Sequence, residues 1–398
     1  MYVGNERTVV ICGDQKFPHG DAGGNRMEYM AKCLLARGYE PFIVSLGKNL
    51  PEDRDDARGC YTRDSILYRN CVLSGGKKGK LERYFSVGKQ AAQIINSLSL
   101  VSGTPIVLYT SNPVFAKKVR KKLKNSKSYR YFYDIVEWVD ESSFPHGKLN
   151  PRYWVFQNCF KRVYPSGDGV IAISRNIQNH FDSLGVPTHL YPICLDQSVF
   201  ARPDGRAYDG KVRFIYPGVP GNKEATDVMM EALLALTPEE RARIEFHYTA
   251  VKEGRIRAIL GARASLLDEL KDTVTFHSWM EYEDLLRLYW SMDALLMVRK
   301  NNLITKSNFP SKVPELMACG VTVLANEQGD FFEYLRDGVD TVKIVEISVE
   351  SCVEAIRKLL NMSAEERRAL SENAIRCAQE RFDFRRYAKP LCDFLRGE

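Results

Sequence analysis

FPSKVPELMACGVTVLAN, residues 309–326, follows an apolar run, DALLMVR (residues 293–299), and a polar loop, KNNLITKSNF (residues 300–309). Proline deep inside a helix deletes a hydrogen bond and clashes with the preceding turn, so Pro314 must lie in the first turn of any helix here. That places Ser311 at the N-cap, and Gly320 just past the end. VTVLAN then reads as a second buried strand. A strand, a loop, a short helix and another strand form one βα unit of a parallel sheet.

The same alternation runs outward in both directions. Strand-like runs occupy residues 8–13, 41–46, 65–73, 105–111, 129–136, 169–174 and 188–193, and then 212–218, 243–250, 273–279, 293–299, 321–326 and 342–347, with helical patterns between them. The polar stretch LDQSVFARPDGRAYDGK carries Gly and Pro without an apolar period, which marks a linker. A chain of 398 residues also exceeds what one hydrophobic core usually spans. The expected architecture is therefore α/β, with two Rossmann-like, doubly wound domains facing a cleft. Ligands of such sheets bind beyond the C-terminal strand ends.

Composition narrows the classes of function. No run of about 20 apolar residues and no basic, apolar leader occurs, so a cytoplasmic protein is expected. The ten cysteines are scattered without a CxxC pair and read as reduced, small apolar side chains. Six histidines form no HExxH or Cys/His cluster, so no metal site is expected. Charge is uneven: residues 1–198 hold about 28 Lys and Arg against about 18 Asp and Glu, while the remainder is roughly −3. The excess gathers in Lys77, Lys78, Lys80, Arg83 and Lys89 and in KKVRKKLK, residues 117–124. That surface is a solvated helix face or a dock for anionic lipid headgroups; no nucleic-acid module surrounds it, and no nucleic-acid partner is expected.

Three segments could carry chemistry. After the first strand, DQKFPHGDAGG precedes a helix, and Gly20, Gly23 and Gly24 would let the backbone approach a ligand or simply make a tight turn. YPGVPGNKEATDVMM puts Gly218, Gly221 and Lys223 in a turn and helix start, where a lysine can neutralise a diphosphate. Around the opening segment, Arg299, Lys306 and Lys312 crowd a helix N-terminus, which disfavours cations unless an anion sits among them. Glu315, about one turn in, could accept two hydrogen bonds from a ribose diol.

Taken in order, FPHGDAGGNRMEYMAKCLLARGYEPFIVS, DGVIAIS, PICLDQSVF, PGVPGNKEA and FPSKVPELMACGVTVLANEQGDFFEYLRDGVD resemble the GT-B glycosyltransferases of family 4, the group 1 glycosyl transferases. The resemblance implies an acceptor-binding N-terminal domain (1–195), a linker (196–210), a donor-binding domain (211–380) and a terminal helix (381–398) crossing back to the first domain. It implies a glycosyltransferase of the EC 2.4 type that moves a sugar with retention from a nucleoside diphosphate sugar to a glycan or lipid-linked acceptor in surface polysaccharide or glycoconjugate biosynthesis. It further implies diphosphate contacts from Lys223, a ribose contact from Glu315, contacts from Ser311 and Lys312, and a backbone approach at Gly23 and Gly24. Gly218 would open the donor turn, and Arg299 or Lys306 would stand in for an arginine that the family carries where this chain has Val219. Fixed cations would replace a metal, so no cofactor is expected.

On the acceptor side, YDIVEWVDESSF places Asp134, Glu137 and Asp140 at or just beyond a strand end, where they could bind hydroxyls or remove a proton. Trp138 could stack on a sugar or belong to the core. The family's usual sugar-contacting glutamate is replaced by Ser307. That departure keeps two other outcomes open: a non-catalytic sugar-binding subunit, or another GT-B enzyme such as a nucleotide-sugar epimerase. A peripheral position at the inner membrane face, through residues 77–89 and 117–124, completes the expectation.

Overall fold

The computed structural model describes residues 2–18, 21–74, 76, 79, 82, 86–110, 112–124, 126–201 and 209–398. Gly20, Lys77, Lys78, Lys80, Arg83 and residues 202–208 of the expected linker lie outside the described residues. The chain divides into two compact units. The first holds Met1–Cys194, Ser307–Phe309 and Phe384–Glu398; the second holds Leu195–Lys306 and Pro310–Asp383.

The first unit is built on a nine-stranded sheet. Its strands are β1 (Thr8–Lys16), β2 (Glu40–Leu46), β3 (Arg54–Asp55), β4 (Cys60–Arg63), β5 (Ile66–Cys71), β6 (Pro105–Tyr109), β7 (Arg130–Ile135), β8 (Gly169–Ala172) and β9 (Thr188–Leu190). They lie in the order β3-β4-β5-β2-β1-β6-β7-β8-β9. From β5 to β9 every pairing is parallel, and the run Val9–Cys12 in β1 is buried on both faces, the pattern of a sheet covered by helices on each side. The antiparallel β3 and β4 were not expected from sequence: with two and four residues, half of them charged, they carry no apolar alternation. Short charged strands of this kind blunt an exposed sheet edge.

Helix Ala22–Leu35 and the terminal helix Arg385–Arg396 pack on each other within this unit. Met27, Met30, Ala31 and Leu34 of the former share a buried cluster with Ala388, Leu391 and Leu395 of the latter and with its N-cap residue Phe384. All ten cysteines are buried. No helix among the described residues is long and apolar enough to cross a membrane.

In the second unit six strands run parallel: β10 (Val212–Pro217), β11 (Ile244–Thr249), β12 (Val274–Phe276), β13 (Ala294–Met297), β14 (Thr322–Asn326) and β15 (Thr341–Ile344). Their order is β12-β11-β10-β13-β14-β15. The chain winds outward from β10 to β12, then returns to start again beside β10 at β13. The reversal lies between β10 and β13, the position beyond whose strand ends open sheets of this winding bind ligands. Lys223 and Arg299 lie on those two loops.

Candidate functional site at the switch point of the second sheet

Strand β10 ends at Pro217, and Gly218 follows with φ +80°, a left-handed conformation that L side chains rarely adopt. Its N–H donates to the Thr249 carbonyl at 3.0 Å. The turn then folds back onto the loop leaving β13. Ala225 N donates to Val298 O at 2.9 Å, Lys300 N donates to Lys223 O at 2.8 Å, and Glu224 pairs with Arg299 as an antiparallel bridge. Two loops far apart in sequence are thereby fastened backbone to backbone.

Arg299 is only 1% exposed, and a buried guanidinium needs a counter-charge and acceptors. Glu224 supplies the charge, its Oε1 lying 3.4 Å from Arg299 Nε, and Gln328 Oε1 accepts from Arg299 Nη1 at 2.7 Å. The other Glu224 oxygen accepts from Gly221 N at 2.6 Å. Burial and the nearby Glu224 carboxylate, which also shares a hydrogen bond with it, raise the Tyr216 hydroxyl pKa, so this phenol stays protonated. Asn326 exchanges two hydrogen bonds with the Arg299 backbone, at 2.8 and 2.9 Å.

Lys312 begins the helix Lys312–Ala318. Its ammonium donates to the Pro217 carbonyl at 2.7 Å and lies 4.0 Å from the centre of the Tyr216 ring. Burial pushes its pKa down to about 8, against the pull of Glu224; Arg299 and Lys223 push it further down. Glu315 moves the opposite way, up to about 7, because burial outweighs the attraction of Lys312. Both charges are thus poorly solvated where they stand. An anion among Lys223, Arg299 and Lys312, and a hydrogen-bonding polyol against Glu315, would relieve each of them.

The structure brings Lys223, Arg299, Lys312 and Glu315 to one corner, but several expectations need correction. Arg299 is the buried partner of Glu224 and braces the loop leaving β13. Ser311 sits at the N-cap position in a helical conformation, and its side chain makes no capping bond. With seven residues, that helix has little macrodipole, so the charge of Lys312 is the stronger attraction for an anion. Lys306 is exposed at the end of a separate short helix, Leu303–Ser307, with its carbonyl against Gly329. Ser307, which belongs to the first unit, is fully buried and accepts a hydrogen bond from Asn176 Nδ2 at 2.7 Å.

In the first unit, Gly23 and Gly24 answer an internal demand. A Cβ on Gly24 would stand 1.9 Å from the Lys16 carbonyl oxygen, and one on Gly23 would stand 2.8 Å from the Tyr109 hydroxyl. These glycines let helix Ala22–Leu35 start tightly against the end of β1, with Asp21 capping it by accepting from Gly24 N at 3.1 Å. Asp134 is also reassigned: it is 1% exposed and holds Arg26 through contacts of 2.7 to 3.1 Å, so it is a structural counter-ion and not an available base. Trp138 is half-buried and stacks on Phe160, with ring centres 4.9 Å apart. Asp140 caps a short turn by accepting from Ser142 N, and Glu137 alone of the three acids is exposed just past β7.

Glu224, Tyr216 and Gln328 were not foreseen. Glu224 was legible only as the residue after Lys223, and its role depends on Arg299, 75 positions later by sequence number. The sheet order is what makes them neighbours.

A doubly wound second sheet with a cation-rich switch point, beside a first unit of the same winding, defines the class: the chain has the GT-B fold of two Rossmann-like domains found in glycosyltransferases. Residues 263–376, within the second unit, match the family described as Glycosyl transferases group 1. Among solved structures, the chain is similar to a glycosyltransferase from Rickettsia africae ESF-5 (14% identity, 98% of this chain and 100% of that one, TM-score 0.65). It is also similar to HepE from Anabaena in complex with UDP and glucose (13% identity, 98% and 99%, TM-score 0.68). Sucrose-phosphate synthase from Thermosynechococcus elongatus gives 14% identity over 98% of each chain, with TM-score 0.70. No curated protein matches the chain by sequence.

Proposed function

We propose that this protein moves a sugar, with retention of anomeric configuration, from a nucleoside diphosphate sugar to a glycan or lipid-linked acceptor, in the assembly of a surface polysaccharide or glycoconjugate. The observation that carries the reading is the gathering of Lys223, Arg299, Lys312 and Glu315 at a topological switch point, with Lys312 held on the Pro217 carbonyl at 2.7 Å and both Lys312 and Glu315 desolvated. As the anomeric C–O bond breaks, its electron pair goes to the diphosphate, and Lys223 and Lys312, with Arg299 behind Glu224, stabilise that charge in the manner of a preorganised cationic cradle. Such a cradle supplies the charge that a metal ion supplies elsewhere.

Glu315 takes the ribose diol, and Gly218 keeps the turn before Lys223 open for the diphosphate. The acceptor hydroxyl forms the new bond to the anomeric carbon and gives up its proton; Glu137 is the candidate that receives it. The solved HepE complex contains UDP, which makes uracil the first base to try. A cytoplasmic enzyme working at the inner membrane face fits a lipid-linked acceptor.

Thermal unfolding with a panel of nucleoside diphosphates and their sugars tests the reading. A ligand at 100 times its Kd stabilises by about 2.7 kcal/mol, so the correct base gives a clear rise in Tm. No stabilisation by any of them would sink the proposal. Stabilisation without release of free nucleotide in the presence of acceptor would favour the sugar-binding subunit instead.

A further inference from the structure

Between β7 and β8 the chain makes a projection that the proposed reaction does not use. Phe144 packs on Tyr153 and Phe156, with ring centres 6.1 and 5.5 Å away, and Asn150 caps helix Pro151–Asn158 by accepting from Arg152 N. Asn150 also donates to the Pro145 carbonyl at 3.1 Å, and the Trp154 indole donates to the Lys148 carbonyl at 2.8 Å. These bonds fix the segment internally, yet its largest apolar side chains face outward: Leu149 is 87% exposed and Trp154 57%, with Val155 exposed beside them. An ordered turn that leaves a Leu and a Trp in solvent is a surface made for contact.

The surroundings say what kind of contact. Residues 144–163 carry Lys148, Arg152, Lys161 and Arg162 and no acidic residue, and residues 113–124 carry Lys117, Lys118, Arg120, Lys121, Lys122 and Lys124, again without an acid. Helix Pro113–Lys122 packs against helix Pro151–Asn158. Arg120 turns inward onto Tyr133 and Ser166, and Lys148 pairs with Glu141 at 3.7 Å, but Lys117, Lys121, Lys122, Lys124, Arg152, Lys161 and Arg162 are exposed.

We infer that Leu149 and Trp154, on a segment that carries exposed cations and packs against a lysine-rich helix, form a wedge that inserts into the headgroup region of an anionic lipid bilayer. Apolar residues enter the interface while Lys and Arg stay at the phosphate level, the distribution that holds peripheral proteins on membranes. A second copy of the chain is a poor occupant, because it would bring an equally basic face against this one. The inference deepens the membrane part of the proposed function and rests on that part alone.

Cosedimentation of the full chain with vesicles tests it without any donor or acceptor, so its failure would leave the sugar-transfer reading untouched. Vesicles of phosphatidylcholine with phosphatidylglycerol are compared with phosphatidylcholine alone at about 0.1 M salt, near one Debye length of 10 Å. The expected result is binding to the mixed vesicles only. The double variant Leu149→Ser with Trp154→Ser should bind about tenfold more weakly, and Lys117→Gln with Lys121→Gln about threefold, each with an unchanged Tm. Because chains with an unaltered Tm are folded, equal binding by the wedge variant and the parent would overturn the insertion. Absence of binding by the parent would also overturn it, as would a dimer in light scattering that Trp154→Ser dissociates.

Discussion

The two sheets share a winding rule and differ at the place where the rule puts a crevice. In the first unit the reversal lies between β1 and β6, and the polar groups nearby hold one another: Asp14 accepts from Gln15 and Asn112, and Arg26 is enclosed by Asp134 and the carbonyls of Tyr191 and Pro192. In the second, Arg299 is enclosed in the same way by Glu224 and Gln328, but Lys312 and Glu315 stand beside it with their pKa values moved toward neutrality by burial. One switch point is complete within the protein. The other keeps Lys312 and Glu315 desolvated, an electrostatic cost of the kind that a bound ligand offsets.

The comparison breaks most visibly at its two buried ion pairs. Asp134→Asn and Glu224→Gln each strip a buried arginine of its counter-ion, and each should cost about 3–5 kcal/mol of stability by denaturant unfolding. Only Glu224→Gln should also weaken nucleotide binding by the folded protein, with partial recovery in Glu224→Asp; an equal loss in Asp134→Asn would show that the first switch point is functional too. Next in size, Lys223→Ala and Lys312→Ala should each lower kcat/KM about 10²–10³-fold by removing charge from the departing diphosphate, while Lys306→Ala stays near the parent. Near-normal turnover in Lys223→Ala would break the assignment.

A smaller effect sharpens the reading of Glu315. Its folded pKa, about 7, lies above the ordinary 4.5, so the folded chain holds the extra proton between those values and stability falls as pH rises across that window. Glu315→Gln should therefore stabilise the unliganded protein by about 1–3 kcal/mol at pH 8 and leave it unchanged at pH 4, while nucleotide affinity drops. Lys312 gives the smallest signal. Its folded pKa, about 8, lies below the ordinary 10.5, so the unfolded chain holds the extra proton between them and stability rises with pH across that window. Since a diphosphate prefers the protonated ammonium, titration calorimetry should show nucleotide affinity falling about tenfold between pH 7 and 9 in the parent and little in Lys312→Ala.

What was legible in the sequence follows from the range of the interactions involved. Strand runs, the position of Pro314 in its first helical turn, the left-handed Gly218 and the run of lysines in residues 117–124 are local matters, governed by period, sterics and composition within a dozen residues. The motif FPSKVPELMACGVTVLAN therefore identified a βα unit and a GT-B resemblance before any contact was known. It also pointed to cations that the fold brings near one another, because Lys312 and Arg299 border the same loop.

Only the tertiary structure decided which charges are available. Arg299 became internal because sheet order puts Glu224 and Gln328 around it; Asp134 became a counter-ion because Arg26 reaches it from another helix; and Gly24 proved to be the room needed beside Lys16. Exposure behaved the same way, since nothing in the spelling of residues 144–155 distinguishes the buried Phe144 from the exposed Leu149 and Trp154. A side chain's pKa, partner and access are set by atoms far away in sequence, and a sequence specifies those neighbours only through the fold it makes.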